Sequence, residues 1–334
     1  RVMASRFIVD SLCYLAEEYK LDGFRFDLMG LLDIQTLNKA AEKLRRINPS
    51  VILYGEGWTG GASPLDEGLR AMKKNAVELP QFAMFSDDFR DGVKGSVFED
   101  EGCGYVNGNA EELSELMKSM ISAGVFRSDV ERPESECWTD TPQQAVNYVE
   151  AHDNLTLFDK LRVSMPSASE EACIAADKLA AALVFLSQGI PFMQAGQELL
   201  RSKPAPDGGF VHDSYNSPDS VNSIKWNDVT IRRGVMEYYR GLIAIRKRFP
   251  EFRLRTSEEI RTLVKYEDIG SGALAVHYGE KFLLLINPGE VPLEYPLPGI
   301  ADIYADSKKA AAQPLYQAEG VVSVKPCSII LARF

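Results

Sequence analysis

The sequence is poor in cysteine and histidine, which argues against two kinds of site. Its 334 residues include five cysteines and three histidines. No two cysteines form a CxxC pair, so the chain lacks both a disulfide framework and the ligand spacing of a structural zinc site. We therefore predict no metal site and no required cofactor; calcium, which takes oxygen ligands, is compatible with the sequence but not indicated by it. An odd cysteine count leaves one thiol unpaired, which favours a cytoplasmic over a secreted location without fixing it.

Basic residues and long apolar runs are also scarce. The chain carries 37 Lys and Arg against 48 Asp and Glu, for a formal net charge of -11 at pH 7. Nucleic-acid binding depends on Lys and Arg neutralising phosphates, so we expect no nucleic-acid partner. The longest apolar run, residues 179–186, is far shorter than the roughly 20 residues that span a bilayer, so we expect no membrane partner.

Residues 1–250 alternate between strand-like and helical patterns. Helical spacing predicts helices over residues 2–19, 37–47, 111–122, 172–187 and 235–248. The predicted strands end at polar side chains, which in chain order are Asp27, Glu56, Asp88, Asp153 and, approximately, Gln197. Strands that alternate with helices predict a parallel sheet, whose carboxyl ends form the usual ligand-binding edge.

The pattern changes after residue 250. Short apolar runs are separated there by turn residues such as Gly270-Ser271-Gly272, and from residue 260 onwards no helical pattern exceeds about two turns. These runs predict short strands over residues 264–266, 273–278, 282–286, 303–304, 321–324 and 329–331. We therefore predict two domains: an α/β catalytic unit over residues 1–250 and an all-β sandwich over residues 251–334.

The segment Asp22-Gly23-Phe24-Arg25-Phe26-Asp27 places a cation and an anion on one face of a predicted strand. Arg25 can keep Asp27 ionised and oriented, as a carboxylate nucleophile requires. A structural ion pair at the end of a strand explains the same residues equally well.

Two further carboxylates follow predicted strands. Glu56 stands among glycines and between Tyr54 and Trp58; apolar neighbours raise a carboxyl pKa, which suits a general acid, and aromatic faces suit sugar rings. A strand-end glutamate in a loop is the simpler alternative. The pair His152-Asp153, taken alone, is better explained as an exposed loop pair or as a helix N-cap formed by Asp153 or Asn154.

Taken together, these carboxylates match the paired acids of glycoside hydrolysis, in which one acts as nucleophile and one as general acid and base. A third charge can bind substrate hydroxyls and stabilise positive charge at the anomeric carbon. No GxSxG, P-loop or GxGxxG pattern offers a competing chemistry.

The motifs make the chain resemble the α-amylase superfamily, glycoside hydrolase family 13, and within it the bacterial type I pullulanases. The segment 22–27 is typical of the superfamily, whereas the segments 54–58 and 215–222 favour pullulanase over isoamylase or branching enzyme. The match continues through Asn147-Tyr148-Val149-Glu150-Ala151-His152-Asp153-Asn154 and runs over nearly the whole chain.

The resemblance implies a site and a role for each residue. Asp27 would be the nucleophile, Glu56 the acid/base and Asp153 the transition-state stabiliser. The supporting and substrate-binding residues would be Arg25, His152, Trp58 and Asn216, with Asn216 in the loop region after the eighth strand. For a retaining enzyme, the carboxyls of Asp27 and Glu56 would lie roughly 5–5.5 Å apart.

The implied fold is a partial (β/α)8 barrel, comprising about strands four to eight, followed by a small antiparallel β-sandwich. The implied reaction is hydrolysis of α-1,6-glucosidic branch linkages in α-glucans: pullulan, amylopectin, glycogen and limit dextrins. Five of eight strands leave two open edges, so we expect a missing N-terminal half of the barrel in the parent protein and little activity from this chain alone. The alternatives are an isoamylase, a branching enzyme and a non-catalytic glucan-binding chain.

Overall fold

The computed structural model describes residues 2–206 and 208–334. Arg1 and Asp207, which both fall in the predicted 1–250 unit, lie outside the described residues. The helices are α1 Val2–Glu18, α2 Ile34–Ile47, α3 Asp87–Lys94, α4 Ala110–Ile121, α5 Leu157–Ser164, α6 Glu170–Leu186, α7 Asp219–Asn222, α8 Asp228–Ile231, α9 Arg233–Arg248 and α10 Ser257–Leu263. Across these ranges, no helix combines the length and apolar character needed to cross a membrane.

The first five strands form one parallel sheet. They are β1 Gly23–Phe26, β2 Ile52–Gly55, β3 Ala83–Phe85, β4 Ala145–Asn147 and β5 Ile190–Pro191. They lie side by side in chain order, and every neighbouring pair is parallel. This confirms the prediction of five parallel strands. Within the described part of the chain β1 and β5 do not pair with each other, so the sheet is open.

Three predicted strands are too long. Strand β5 ends at Pro191, and Gln197, which was predicted to end it, lies in the 3-10 helix Gln197–Leu199. Strand β3 stops at Phe85 because Ser86 caps α3: its hydroxyl accepts a hydrogen bond from the backbone N–H of Phe89 at 3.3 Å. The prediction that Asp88 ends a strand is therefore wrong, since Asp88 lies in the first turn of α3, where the helix dipole favours an acidic side chain. Strand β4 stops at Asn147, so Asp153 lies in the loop that follows it.

Alternation along the strands separates two environments. On one side, Phe26, Leu53 and Met84 are buried in a core shared with α2. On the other side, Phe85 packs with residues of β4 and of the loop after it. A register slip of one residue would exchange the two sets, so the apolar pattern fixes which side chains reach the open face.

The remaining strands are antiparallel. They are β6 Val264–Asp268, β7 Leu274–Tyr278, β8 Phe282–Asn287, β9 Leu293–Pro296, β10 Ala301–Ala305, β11 Tyr316–Ala318, β12 Val321–Val324 and β13 Ser328–Arg333. Six form a sheet in the order β11-β10-β13-β8-β7-β6, and β9 and β12 form a two-stranded ribbon. The sequence analysis missed β9 and β11, which are short and largely exposed.

Both faces of the six-stranded sheet are covered. In β8, Phe282 and Leu284 belong to a core that also contains residues of α4, α6 and α9. The alternate residues Leu283 and Leu285 pack in a second core with Val322 of the ribbon. The antiparallel sheet and the helices behind the parallel sheet therefore share one continuous hydrophobic core.

A glycine pair on α9 tests how closely these parts pack. A Cβ atom at Gly241 would lie 1.8 Å from the carbonyl oxygen of Ala310, whereas no described heavy atom lies within 4 Å of a Cβ at Gly234. We expect Gly241→Ala to lower the free energy of unfolding by about 1–3 kcal/mol through overpacking, despite the roughly 1 kcal/mol by which Ala favours a helix over Gly. The matched control Gly234→Ala should leave stability unchanged or raise it. Urea unfolding of both variants is the measurement, and equal midpoints would contradict the close approach.

Candidate active site

A cavity of about 960 Å³ opens at the carboxyl ends of the parallel strands. Its wall contains residues that follow all five of these strands. The lining residues are Arg25, Asp27, Leu28, Tyr54, Glu56, Trp58, Gly60, Phe85, Asp87, Arg90, Lys94, Val97, Phe98, Tyr148, Ala151, His152, Asp153, Asn154, Phe192 and Asp213. The three carboxylates singled out in the sequence therefore share one cleft.

One guanidinium group joins the first two carboxylates. Arg25 donates through Nη1 to Oδ1 of Asp27 and through Nη2 to Oε1 of Glu56, the latter at 2.6 Å. The second oxygen of Glu56 accepts the backbone N–H of Leu28 at 2.8 Å. Both oxygens of Glu56 are thus bound, and its orientation is fixed from two directions.

The geometry of the strand ends makes this contact possible. Parallel pairing sets Phe26 opposite Gly55, so Asp27 and Glu56 leave their strands at the same level. A Cβ atom at Gly55 would lie 2.5 Å from the carbonyl oxygen of Phe26, so only glycine allows the two strands to approach this closely. Directly after Asp27, Leu28 adopts a left-handed backbone conformation with φ 41°, which is costly for a residue with a branched side chain. This conformation turns the backbone N–H of Leu28 towards Glu56.

The two carboxylates differ in accessibility. The side chain of Asp27 is 70% exposed, whereas that of Glu56 is 8% exposed. Asp27 can therefore approach a ligand in the cleft while one of its oxygens stays bound to Arg25. Glu56 presents much less surface and sits between the guanidinium and the backbone of the neighbouring strand end.

The third carboxylate lies in the loop after β4. Nε2 of His152 lies 3.4 Å from Oδ1 of Asp153, and both side chains are more than half exposed. The N-cap alternative is wrong, because Thr156 caps α5: its hydroxyl accepts the backbone N–H of Asp159 at 3.1 Å. Lys203 supports the loop by donating to the carbonyl oxygen of His152 at 3.1 Å.

Aromatic rings form the floor of the cleft. Phe85 makes edge-to-face contacts with Tyr54, Tyr148 and Phe192, with ring centroids 5.6, 4.9 and 5.1 Å apart. Arg90 donates to the hydroxyl of Tyr148 at 2.9 Å. Burial raises the pKa of Tyr148, an effect partly opposed by the Arg90 charge, so Tyr148 stays a neutral phenol at neutral pH. Such a rigid apolar surface with few polar groups is typical of a small-molecule site.

Lys94, which lines the cleft, and Glu150, in the loop after β4, are both buried ionisable residues. Burial lowers the pKa of the Lys94 ammonium and raises the pKa of the Glu150 carboxyl, and each group's charge partly opposes the shift of the other. Glu150 also accepts the backbone N–H of Leu157 at 2.7 Å. Nζ of Lys94 donates to the carbonyl oxygen of Leu155 at 3.4 Å, and this contact ties the loop that carries Asp153 to the end of α3.

The structure places six of the seven residues singled out in the sequence on the cleft. The exception is Asn216, which is exposed in the 3-10 helix Ser214–Asn216 and does not line the cavity, although Asp213 does. The sequence analysis missed Arg90, Lys94 and Phe98. Phe98 is 88% exposed in an irregular loop, where no periodicity could have marked it. Within residues 2–206 and 208–334, no cluster of three or more His, Cys, Asp or Glu side chains could hold a metal ion.

The sequence is similar to those of known pullulanases. It is 38% identical over 262 residues to the pullulanase of Bacillus subtilis strain 168, a match that covers 78% of this chain and 35% of that protein. It is also 25% identical over 325 residues to the isoamylase of Pseudomonas amyloderamosa, covering 82% of this chain and 39% of that protein. No protein-family model matches the chain.

Solved structures show the same similarity. The type I pullulanase of Bacillus subtilis complexed with maltose has a TM-score of 0.91 at 30% identity, over 100% of this chain and 46% of that one. A pullulanase from Anoxybacillus sp. LM18-11 complexed with maltotetraose has a TM-score of 0.89 at 34% identity, over 100% of this chain and 47% of that one. This chain therefore spans less than half the length of each of the relatives named here.

The unequal burial of the two carboxylates predicts unequal coupling to Arg25. Removing one partner of a buried ion pair costs roughly 3–5 kcal/mol, whereas an exposed pair contributes about 0–1 kcal/mol. We expect the coupling between Arg25→Met and Glu56→Gln in a double-mutant cycle to approach the lower end of the first range, because Arg25 is itself 26% exposed. The cycle with Asp27→Asn should give the smaller value. Urea unfolding measures both, and equal coupling energies would contradict the geometry.

Proposed function

Since the chain is a homologue of glycoside hydrolase family 13 pullulanases and matches the C-terminal part of such an enzyme, we propose that it carries the catalytic carboxyl groups of an α-1,6-glucan debranching hydrolase. The observation that carries the proposal is the pair Asp27 and Glu56, which follow consecutive strands and share the guanidinium of Arg25 in one cleft. The substrate class is branched α-glucan: pullulan, amylopectin, glycogen and limit dextrins.

The mechanism is a retaining double displacement. Asp27 attacks the anomeric carbon to form a glycosyl-enzyme, while Glu56 protonates the departing glycosidic oxygen. Glu56 then takes a proton from the water that releases the sugar and regenerates the Asp27 carboxylate. We expect the two carboxyls to lie roughly 5–5.5 Å apart with substrate bound.

The other site residues act on the substrate around this pair. Asp153, with His152, stabilises positive charge on the sugar ring in the transition state. Trp58 and the aromatic floor offer apolar faces to sugar rings, and Asn216 contacts the substrate from the segment beside Asp213. The maltose and maltotetraose bound to the solved relatives support an α-glucan ligand.

The five parallel strands correspond to strands four to eight of a (β/α)8 barrel, in a catalytic unit over residues 1–250 that is followed by a β-sandwich domain over residues 251–334. Two features support a partial barrel. Strand β1 is an edge of the sheet, and next to it Ile52 is 61% exposed although it lies within β2. Helix α1 exposes Met3, Phe7 and Tyr14 at helical spacing, with 77%, 75% and 56% of each accessible. The partner of these surfaces is the N-terminal half of the barrel in the parent protein.

The similarity to an isoamylase keeps a second specificity open. Both enzymes cleave α-1,6 branch linkages, and pullulan distinguishes them, because a pullulanase releases maltotriose from it. Accumulation of maltotriose supports the first assignment, and turnover of glycogen without turnover of pullulan supports the second.

Carboxylate variants of the parent protein test the roles. Asp27→Asn removes the nucleophile with little change in shape. General acid–base catalysis contributes roughly 10²–10⁴-fold to a rate, and we expect maltotriose release to fall by at least that factor. Glu56→Gln loses proton donation, so substrates with activated leaving groups should be affected less. The matched control is Asp10→Asn on α1, an exposed carboxylate paired with Arg6 and Lys43 away from the cleft. Near-normal release by Asp27→Asn would overturn the nucleophile assignment.

The 334-residue chain itself should release little or no maltotriose. Its open β1 edge and the exposed face of α1 leave one side of the cleft without the strands that would complete it. The same assay on equal molar amounts of chain and parent is the measurement. Robust turnover by the chain alone would show that the remainder of the barrel is not needed.

A further inference from the structure

The loop between α3 and α4 is organised around a single buried ammonium group. This loop, residues 95–104, contributes Val97 and Phe98 to the wall of the cleft. Three of its carbonyl oxygens converge on Nζ of Lys160 in α5, at 3.0 Å from Ser96, 2.5 Å from Glu99 and 2.9 Å from Asp100. The loop therefore takes its shape from a side chain outside it.

The match between donors and acceptors is complete. An ammonium group has three N–H donors, and each finds one loop carbonyl. Lys160 is 2% exposed, so neither its charge nor the carbonyls turned towards it can rely on water instead. The loop has few backbone hydrogen bonds of its own, such as those from the N–H groups of Glu99 and Gly102. Without Lys160, the carbonyls of Ser96, Glu99 and Asp100 would lose the donor that they share.

The same loop is joined to the segment that carries Asp213. Oδ2 of Asp100 lies 2.9 Å from Nε2 of His212, and the next residue, Asp213, lines the cleft. Helix α5 also holds the segment that follows the loop, where the amide of Asn107 donates to the hydroxyl of Ser164 at 2.8 Å. The loop and the segment that follows it therefore both depend on the position of α5.

We propose that Lys160 is a positioning residue of the cleft: its ammonium fixes the 95–104 loop so that Phe98 and Val97 form a wall against which a glucan binds. The positioning of the loop stands on the contacts alone, and the effect on glucan binding rests on the proposed function. Lys160 touches neither the substrate nor the catalytic carboxyls, and it acts through the backbone of the loop.

The test compares the 334-residue chain with its Lys160→Ala variant. Amide hydrogen exchange in residues 96–102 should become about tenfold faster or more, because local opening no longer breaks three hydrogen bonds, while exchange in β1–β4 stays unchanged. The dissociation constant for maltotetraose, measured by calorimetry, should rise by about tenfold as the wall loses its order.

Chemical rescue separates positioning from a general loss of packing. Propylammonium restores the four side-chain atoms that Lys160→Ala removes, so it should return slow exchange and tight maltotetraose binding to the variant. Trimethylpropylammonium carries the same charge without N–H donors and should restore neither. Lys178→Ala is the matched control. Lys178 lies on α6, is half-buried over the ring of Tyr238 on α9, and makes no hydrogen bond to the loop in the described part of the chain. It should show the wild-type values.

Each outcome is decisive. Unchanged exchange in residues 96–102 of Lys160→Ala would overturn the proposal, and so would a freed loop with unchanged maltotetraose affinity. If Lys160→Ala loses protection from amide exchange throughout the chain, the variant Lys160→Met replaces it, because Met keeps an apolar stem. Its amide exchange in residues 96–102 and its affinity for maltotetraose then decide the proposal. In a third outcome, exchange in residues 96–102 becomes faster in Lys160→Ala, but the wild-type chain does not bind maltotetraose. That result would count against the proposed function and not against the role of Lys160 in the loop.

Discussion

The interaction on which the site depends is the fork of Arg25 between two carboxylates. A guanidinium group is planar and rigid, so binding Asp27 with one nitrogen and Glu56 with the other fixes both carboxyls relative to a single plane. The contact requires that β1 and β2 pair in parallel at one register, and Gly55 is what lets the strands come this close. Sheet pairing, a missing side chain and one cation together therefore define where the two acids lie.

Much of this could be predicted, because it is local. Arg25, Asp27 and Glu56 lie within or directly after strands whose apolar alternation is strong, so their common face and common edge follow from the sequence. The prediction for Asp88 was wrong for an equally local reason, since Ser86 ends the strand by capping a helix that the apolar run of residues 81–85 concealed. The antiparallel sheet was recognised, but β9 and β11 were missed because exposed, short strands carry little hydrophobic pattern.

What could not be predicted depends on contacts between distant parts of the chain. The link from Lys160 to residues 96–100 spans about sixty positions, and a lysine inside an amphipathic helix gives no sign that it is buried. The burial of Lys94 and Glu150 is similar, because each residue reads as an ordinary surface charge until the fold removes it from water. Buried charges at functional sites are thus set by tertiary packing, and a single sequence shows only that charges are present.

The two sides of the cleft pack on different hydrophobic cores. Asp27 and Glu56 follow strands that pack on the smaller core shared with α2, and next to it α1 buries only Val9 and Ala16. The loop of Asp153 and the 95–104 loop lie over the larger core, which extends through α6 and α9 into the antiparallel sheet. The packing that supports the loop of Asp153 therefore extends into the last eighty residues. The aromatic floor belongs to a separate small cluster, and the nucleophile side lies at an open edge of the sheet. A partner that covers α1 and β1 would stabilise the side of the cleft that has the least packing of its own, and that side carries the carboxylate proposed to form the covalent bond.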